Sequence, residues 1–170
     1  MKTFLALVIS TILSVNLFSQ SSSPKCNCCS EQQRQFDFWL GEWETYTGDK
    51  LAGKNSITLI QDSCILVENW TSSNGTYTGT SYNFYDLQLK QWRQLWIDNN
   101  GNHIESKGAY KDGAMVLKSA PTMNPQGKLV INKITWFKNE DGTVRQLWEV
   151  SNDKEASWKP VFDGLYKKTK

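Results

Sequence analysis

Gln91-Trp92-Arg93-Gln94-Leu95-Trp96-Ile97-Asp98 runs into Asn99-Asn100-Gly101, and past Asn102 the chain resumes as His103-Ile104-Glu105-Ser106-Lys107-Gly108-Ala109-Tyr110. Rings and branched side chains fill the first stretch. Asn and Gly then supply the left-handed backbone that a tight hairpin requires. The segment therefore reads as strand, turn, strand. The same alternation repeats in both directions, giving candidate strands at 41–47, 54–61, 64–71, 76–85, 91–98, 103–110, 114–119, 128–138, 143–151 and 157–168. Turn residues separate them at Gly48-Asp49, Ser73-Asn74-Gly75, Asp112-Gly113 and Asp141-Gly142. No long apolar repeat at helical spacing competes with this pattern.

Ten consecutive strands with short turns run antiparallel to their neighbours. An open sheet of that size leaves two unpaired edges, and this chain has no helices to cover them, so closure into an up-and-down barrel is expected. The interior of a ten-stranded barrel has room for a small ligand where side chains do not fill it. The one helical candidate is 31–39, from which Phe36, Trp39 and Leu40 can plug a barrel end. The stretch 120–127, with Pro121 and Pro125, reads as an exposed loop.

Composition agrees with a single domain. The chain has 170 residues, 39% of them hydrophobic, with 19 basic against 17 acidic side chains. That balance excludes the basic surface that nucleic-acid binding needs. Lys2, the apolar run from Thr3 to Phe18 and the small polar residues from Ser19 onward describe a secretory signal peptide, assigned to 1–20 with cleavage near Ser19 to Ser22. The run is too short and interrupted for a spanning helix, so no membrane insertion is expected after cleavage. Residues 21–35 form a cysteine-containing arm and 36–170 the barrel domain. The location is exported, either periplasmic or secreted.

Export makes Cys26, Cys28, Cys29 and Cys64 disulfide candidates. One bridge from the N-terminal cluster to Cys64 is expected, tying the arm to the barrel wall. A soft-metal site is the sharper alternative, but C-x-C-C is tighter than zinc spacings and no metal is assigned. A free, packed Cys64 is the third reading.

Phe36-Asp37-Phe38-Trp39-Leu40-Gly41-Glu42-Trp43 resembles the opening of a family of exported bacterial proteins of unknown function. The likeness continues through Glu68-Asn69-Trp70, Asn83-Phe84-Tyr85-Asp86, Trp92-Arg93-Gln94 and Phe162-Asp163-Gly164-Leu165-Tyr166. The helix leading into Gly41-Glu42-Trp43 also resembles the start of lipocalins and fatty-acid-binding proteins, the calycin group. That resemblance implies a barrel closed at one end by Trp39 and Trp43 beneath a basic side chain of the last strand. Here that side chain is Lys168, in place of the arginine of typical lipocalins. It also implies a small hydrophobic or amphipathic ligand.

The residues themselves assemble no reaction. A serine triad needs a histidine base, and His103 has no nucleophile motif beside it. His103 follows a turn and is expected at a solvated strand end, so haem is not assigned and no cofactor is expected. Glu68, Asp98, Glu105 and Glu149 lie on or near strands, with solvation as the default for each. The stretch from Ser151 to Trp158 resembles a degenerate Asp-box hairpin, with Glu155 where glycine is usual.

A binding site is better supported. Arg93-Gln94-Leu95-Trp96 recurs 52 positions later as Arg145-Gln146-Leu147-Trp148. If the two copies are equivalent, they face each other across the barrel. Trp92, Gln94 and Trp96 share one face, as do Val144, Gln146 and Trp148, and this more apolar face is assigned to the interior. Two amides flanked by indoles can hold a planar or amphipathic ligand. In the opposite register Arg93 and Arg145 point inward as a carboxylate clamp. The competing readings are a carbohydrate-binding or enzymatic module of the cell envelope and a structural barrel with a filled interior.

Overall fold

The structure, a computed structural model, describes residues 26–169. The signal-peptide assignment at 1–20 therefore lies outside the described residues. Ten long strands form the wall: β1 (Gly41–Thr47), β2 (Lys50–Ile60), β3 (Ile65–Ser72), β4 (Thr78–Asp86), β5 (Gln91–Asp98), β6 (His103–Lys111), β7 (Ala114–Ser119), β9 (Leu129–Lys138), β10 (Val144–Ser151) and β11 (Lys159–Lys168). Each pairs antiparallel with its neighbours, and β1 with β11 closes the ring, with Trp43 opposite Lys168 and Tyr46 opposite Leu165. The fold is an all-β, ten-stranded antiparallel barrel, and closure leaves none of these strands as a free edge.

The 120–127 loop is not wholly irregular. A two-residue strand, β8 (Thr122–Met123), pairs with Val130 and Leu129. β2 begins four residues before its expected start, because Thr47 and Lys50 pair directly across the Gly48-Asp49 turn. Its register shifts where Thr45 faces Gly53 and Tyr46 faces Leu51. Ala52 is the extra residue of this bulge, which re-aims it toward the interior.

The expected helix at 31–39 is two short 3-10 turns, Gln32–Arg34 and Asp37–Trp39. Their bonds are of the i to i−3 type, from Trp39 N to Phe36 O and from Leu40 N to Asp37 O, both 3.1 Å. Such turns place side chains three residues apart on one line. Phe36 and Trp39 consequently enter the barrel end together, both fully buried, with their rings stacked at 5.0 Å. Phe36 meets Trp92 and Trp136 edge-on, and Trp39 meets Tyr166 likewise. The Trp43 indole donates to the Trp39 carbonyl at 2.8 Å, and Lys168 Nζ lies 5.3 Å from the Trp43 ring.

Two disulfides hold the arm, Cys28–Cys64 and Cys26–Cys29. The first is a bridge from the cluster to Cys64, at the end that Phe36 and Trp39 occupy. The second was not anticipated. With all four sulfurs paired, neither a thiolate metal site nor a free Cys64 exists in this state.

Candidate functional site

The aromatic packing fills only the half of the barrel beside the N-terminal arm. Toward the other end lies a cavity of about 230 Å3. Its upper wall is Trp70, Tyr77, Trp96, Ile104, Trp148 and Phe162, and its floor includes Glu68, Gln94, Trp136, Gln146 and Tyr166. The mouth is ringed by the β3–β4 and β5–β6 turns and the start of β11. The Trp70 and Phe162 rings meet edge-on at 6.0 Å, and the Trp148 indole donates to Asn132 Oδ1 at 2.9 Å. These contacts fix the rings as a preformed wall rather than a collapsible one.

Gln94, Trp96, Gln146 and Trp148 all line this space, whereas Trp92 is buried deeper, against Phe36 and Tyr85. Arg93 and Arg145 lie on the outer face. Arg93 pairs with Asp86 at 3.6 Å, and Arg145 makes two 2.8 Å bonds to the Asp163 carboxylate. Strand alternation forces this once Gln94 and Gln146 are inside, so the carboxylate-clamp arrangement does not occur. His103 is exposed at the start of β6.

Solvation, the default for four carboxylates, fails for one of them. Glu68 is 4% exposed and stands on the cavity floor. Its Oε1 accepts from Asn55 Nδ2 at 2.7 Å and its Oε2 from Ser81 Oγ at 2.6 Å. Burial raises its carboxyl to about 7, and the Ser81 and Asn55 bonds only partly offset that. Glu105 is exposed, Asp98 braces the β5–β6 turn through Asn100 and Asn102, and Glu149 pairs with Lys133 at 2.8 Å.

Glu68 is the centre of a polar belt. Asn83 donates to Ser81 Oγ at 2.8 Å, and Gln94 Nε2 donates to Asn83 Oδ1 at 2.9 Å. On the other side Asn55 Nδ2 also reaches the Tyr166 hydroxyl at 3.3 Å, and that hydroxyl donates to Gln146 Oε1. Burial and the nearby Glu68 charge push the Tyr166 phenol well above its ordinary range, so it remains a donor. Not every polar atom is used. Gln94 Oε1 and Asn55 Oδ1 are buried acceptors without a donor, and Trp136 Nε1 is a buried donor without an acceptor.

Asn55, Ser81, Asn83 and Tyr166 were not singled out from sequence. On β4 the polar Ser81 and Asn83 face inward while Tyr82 is 42% exposed, the reverse of the usual alternation. The signal that finds them is register. Glu68 pairs with Ser81 and Asn83 with Gln94, so the phase of one strand fixes that of the next. No protein-family model and no curated protein matches the chain. The ten-stranded barrel itself is compatible with the calycin architecture.

Proposed function

We propose that this chain is an exported calycin-like protein that binds a small hydrophobic or amphipathic molecule in its barrel. The observation that carries this reading is the preformed cavity, walled by aromatic side chains with a few polar groups gathered on its floor. Small-molecule sites have this construction: apolar area supplies affinity, and a few fixed polar atoms orient the ligand. Trp39, Trp43 and Lys168 close the opposite end. Export is supported by the leader-like N-terminus and by two disulfides. Among the described residues no helix is long and apolar enough to cross a membrane.

A carbohydrate module presents its rings as an exposed row, whereas here Trp70, Trp96 and Trp148 line the inside of a cavity open at one end. Native mass spectrometry of the protein purified from its own export compartment tests the reading. The expected result is a chain lacking its leader, with a co-purifying mass of a few hundred daltons or less. Quenching of tryptophan fluorescence by soluble glycans, with none by small aromatic or aliphatic compounds, overturns it.

A further inference from the structure

The polar floor of the cavity is electrically one-sided. None of the fourteen lining residues is Lys, Arg or His, and Glu68 is the only carboxylate among them. The protein gives that carboxylate two neutral donors, Asn55 and Ser81, and no countercharge. A desolvated anion without a cation is costly, and the cost is recovered when a cation enters. Nearby, the buried Gln94 Oε1 is a second acceptor without a donor. Around both stand four indoles and a phenyl ring, whose faces attract a cation and repel an anion.

Size narrows the class further. A cavity of about 150 Å3 holds benzene, and this one, at about 230 Å3, holds a ring with a short substituent. Resting on the binding function above, we infer that the site takes a small aromatic amine in its protonated form, with the ammonium on Glu68 and Gln94 Oε1 and the ring among Trp70, Trp96 and Trp148. A fatty-acid-like carboxylate seated with its head on the floor meets ionised Glu68 charge to charge and is disfavoured above about 7.

The groups that face Glu68 are Asn55 on β2, Ser81 on β4 and, across the cavity, Tyr166 on β11, with the Tyr77 phenol at the mouth. Both phenols stay protonated up to at least neutral pH, since each is raised above its ordinary range. Glu68 is thus the group whose ionisation governs amine binding near neutrality. Below about 7 it must lose its proton to solvent before the ion pair forms.

The test uses three near-isosteric probes on the full chain, followed by tryptophan fluorescence and calorimetry: 2-phenylethylammonium, 2-phenylethanol and 3-phenylpropanoate. At pH 8 the ammonium is expected to bind at least tenfold more tightly than the alcohol, with the propanoate weakest. Lowering the pH to 5.5 is expected to weaken the ammonium at least fivefold and leave the alcohol unchanged. Glu68→Gln is expected to abolish the ammonium's advantage, and if that variant does not fold, the pH series on the unaltered chain decides. Equal binding of alcohol and ammonium, or a preference for the propanoate, overturns the amine assignment and leaves the cavity's binding role standing. An amine preference that survives in folded Glu68→Gln overturns the role of Glu68. Failure of all three probes to bind overturns both.

Discussion

Gln94 on β5 and Gln146 on β10, 52 positions apart in sequence, are the two ends of one hydrogen-bonded belt inside the barrel. Five strands lie between them on one side, and Asn83, Ser81, Glu68, Asn55 and Tyr166 complete the path from β4, β3, β2 and β11. The belt lies on the floor of the cavity, over the packed aromatic half. It provides the orienting groups while the indoles above provide area.

The belt makes stability pH-dependent in an identifiable way. Glu68 titrates at about 7 in the folded chain against an ordinary 4.5. A carboxyl raised on folding binds its proton more tightly in the native state, so its contribution is full below 4.5 and is lost as pH rises through 7. A shift of that size corresponds to about 3 kcal/mol. Urea unfolding at pH 5 and pH 8 should show Glu68→Gln gaining on the wild type by roughly that amount at the higher pH. A pH-independent difference between the two proteins removes the buried, protonated carboxyl from the account.

The arm depends on Cys28–Cys64, which closes a 36-residue separation, far more than on Cys26–Cys29, which spans three. Loop-closure entropy assigns the longer bridge roughly 4 kcal/mol and the shorter one less than half of that. The paired variant Cys28→Ser/Cys64→Ser should therefore lower the denaturant midpoint more than Cys26→Ser/Cys29→Ser. It should also loosen the Phe36 and Trp39 plug, read as faster exchange of the Trp43 indole N–H. Equal losses from the two pairs contradict the assignment.

Much of the wall was legible in the sequence because hairpin chemistry is local: Asn-Gly and Asp-Gly turns delimit strands such as Gln91–Asp98 with no tertiary information. The inward face of β5 was legible too, since Trp92 and Trp96 outweigh Leu95. On β3 the apolar count fails, because Leu66 and Val67 are adjacent and both buried. Glu68 then has no face until the pairing with Ser81 assigns one. The stretch from Ser151 to Trp158 forms a local turn: Asp153 accepts from Ser151 Oγ, Ser157 N and Ser157 Oγ, and Glu155 takes the left-handed φ of +71°. The second disulfide and the bulge at Ala52 are local, but neither carries a residue pattern that marks it: C-x-C-C leaves the choice among three neighbouring thiols open, and Leu51-Ala52-Gly53 reads as plain strand.

The two faces of β5 should separate cleanly by mutation. Arg93 and Arg145 make exposed outer ion pairs, each worth under about 1 kcal/mol. Arg93→Ala and Arg145→Ala should leave ligand affinity within twofold. Gln94→Leu leaves Asn83 Oδ1 without its donor, and should cost about 1 to 3 kcal/mol of stability and weaken polar-headed ligands several-fold. A titration in which Arg93→Ala is the damaging change instead reverses the face on which binding occurs.

The wall of the cavity also depends on a position with no side chain of its own. Gly79 lies beneath the Trp96 indole, and a Cβ built there falls 2.2 Å from Trp96 Cζ2 and 2.3 Å from Cη2. Neither distance is tolerable, so in Gly79→Ala the indole must swing away from the wall. Trp96 lines the cavity, so a ring displaced from β4 takes up part of that space. The strand pairing of Gly79 with Trp70 and Asp98 is unaffected by a methyl group. Overpacking of this kind costs about 1 to 3 kcal/mol, so the barrel should survive with a lowered melting temperature. Ligand capacity should fall much further than stability, since the lost volume comes directly from the site. A folded Gly79→Ala that binds small aromatic probes as well as the wild type places the ligand somewhere other than against Trp96.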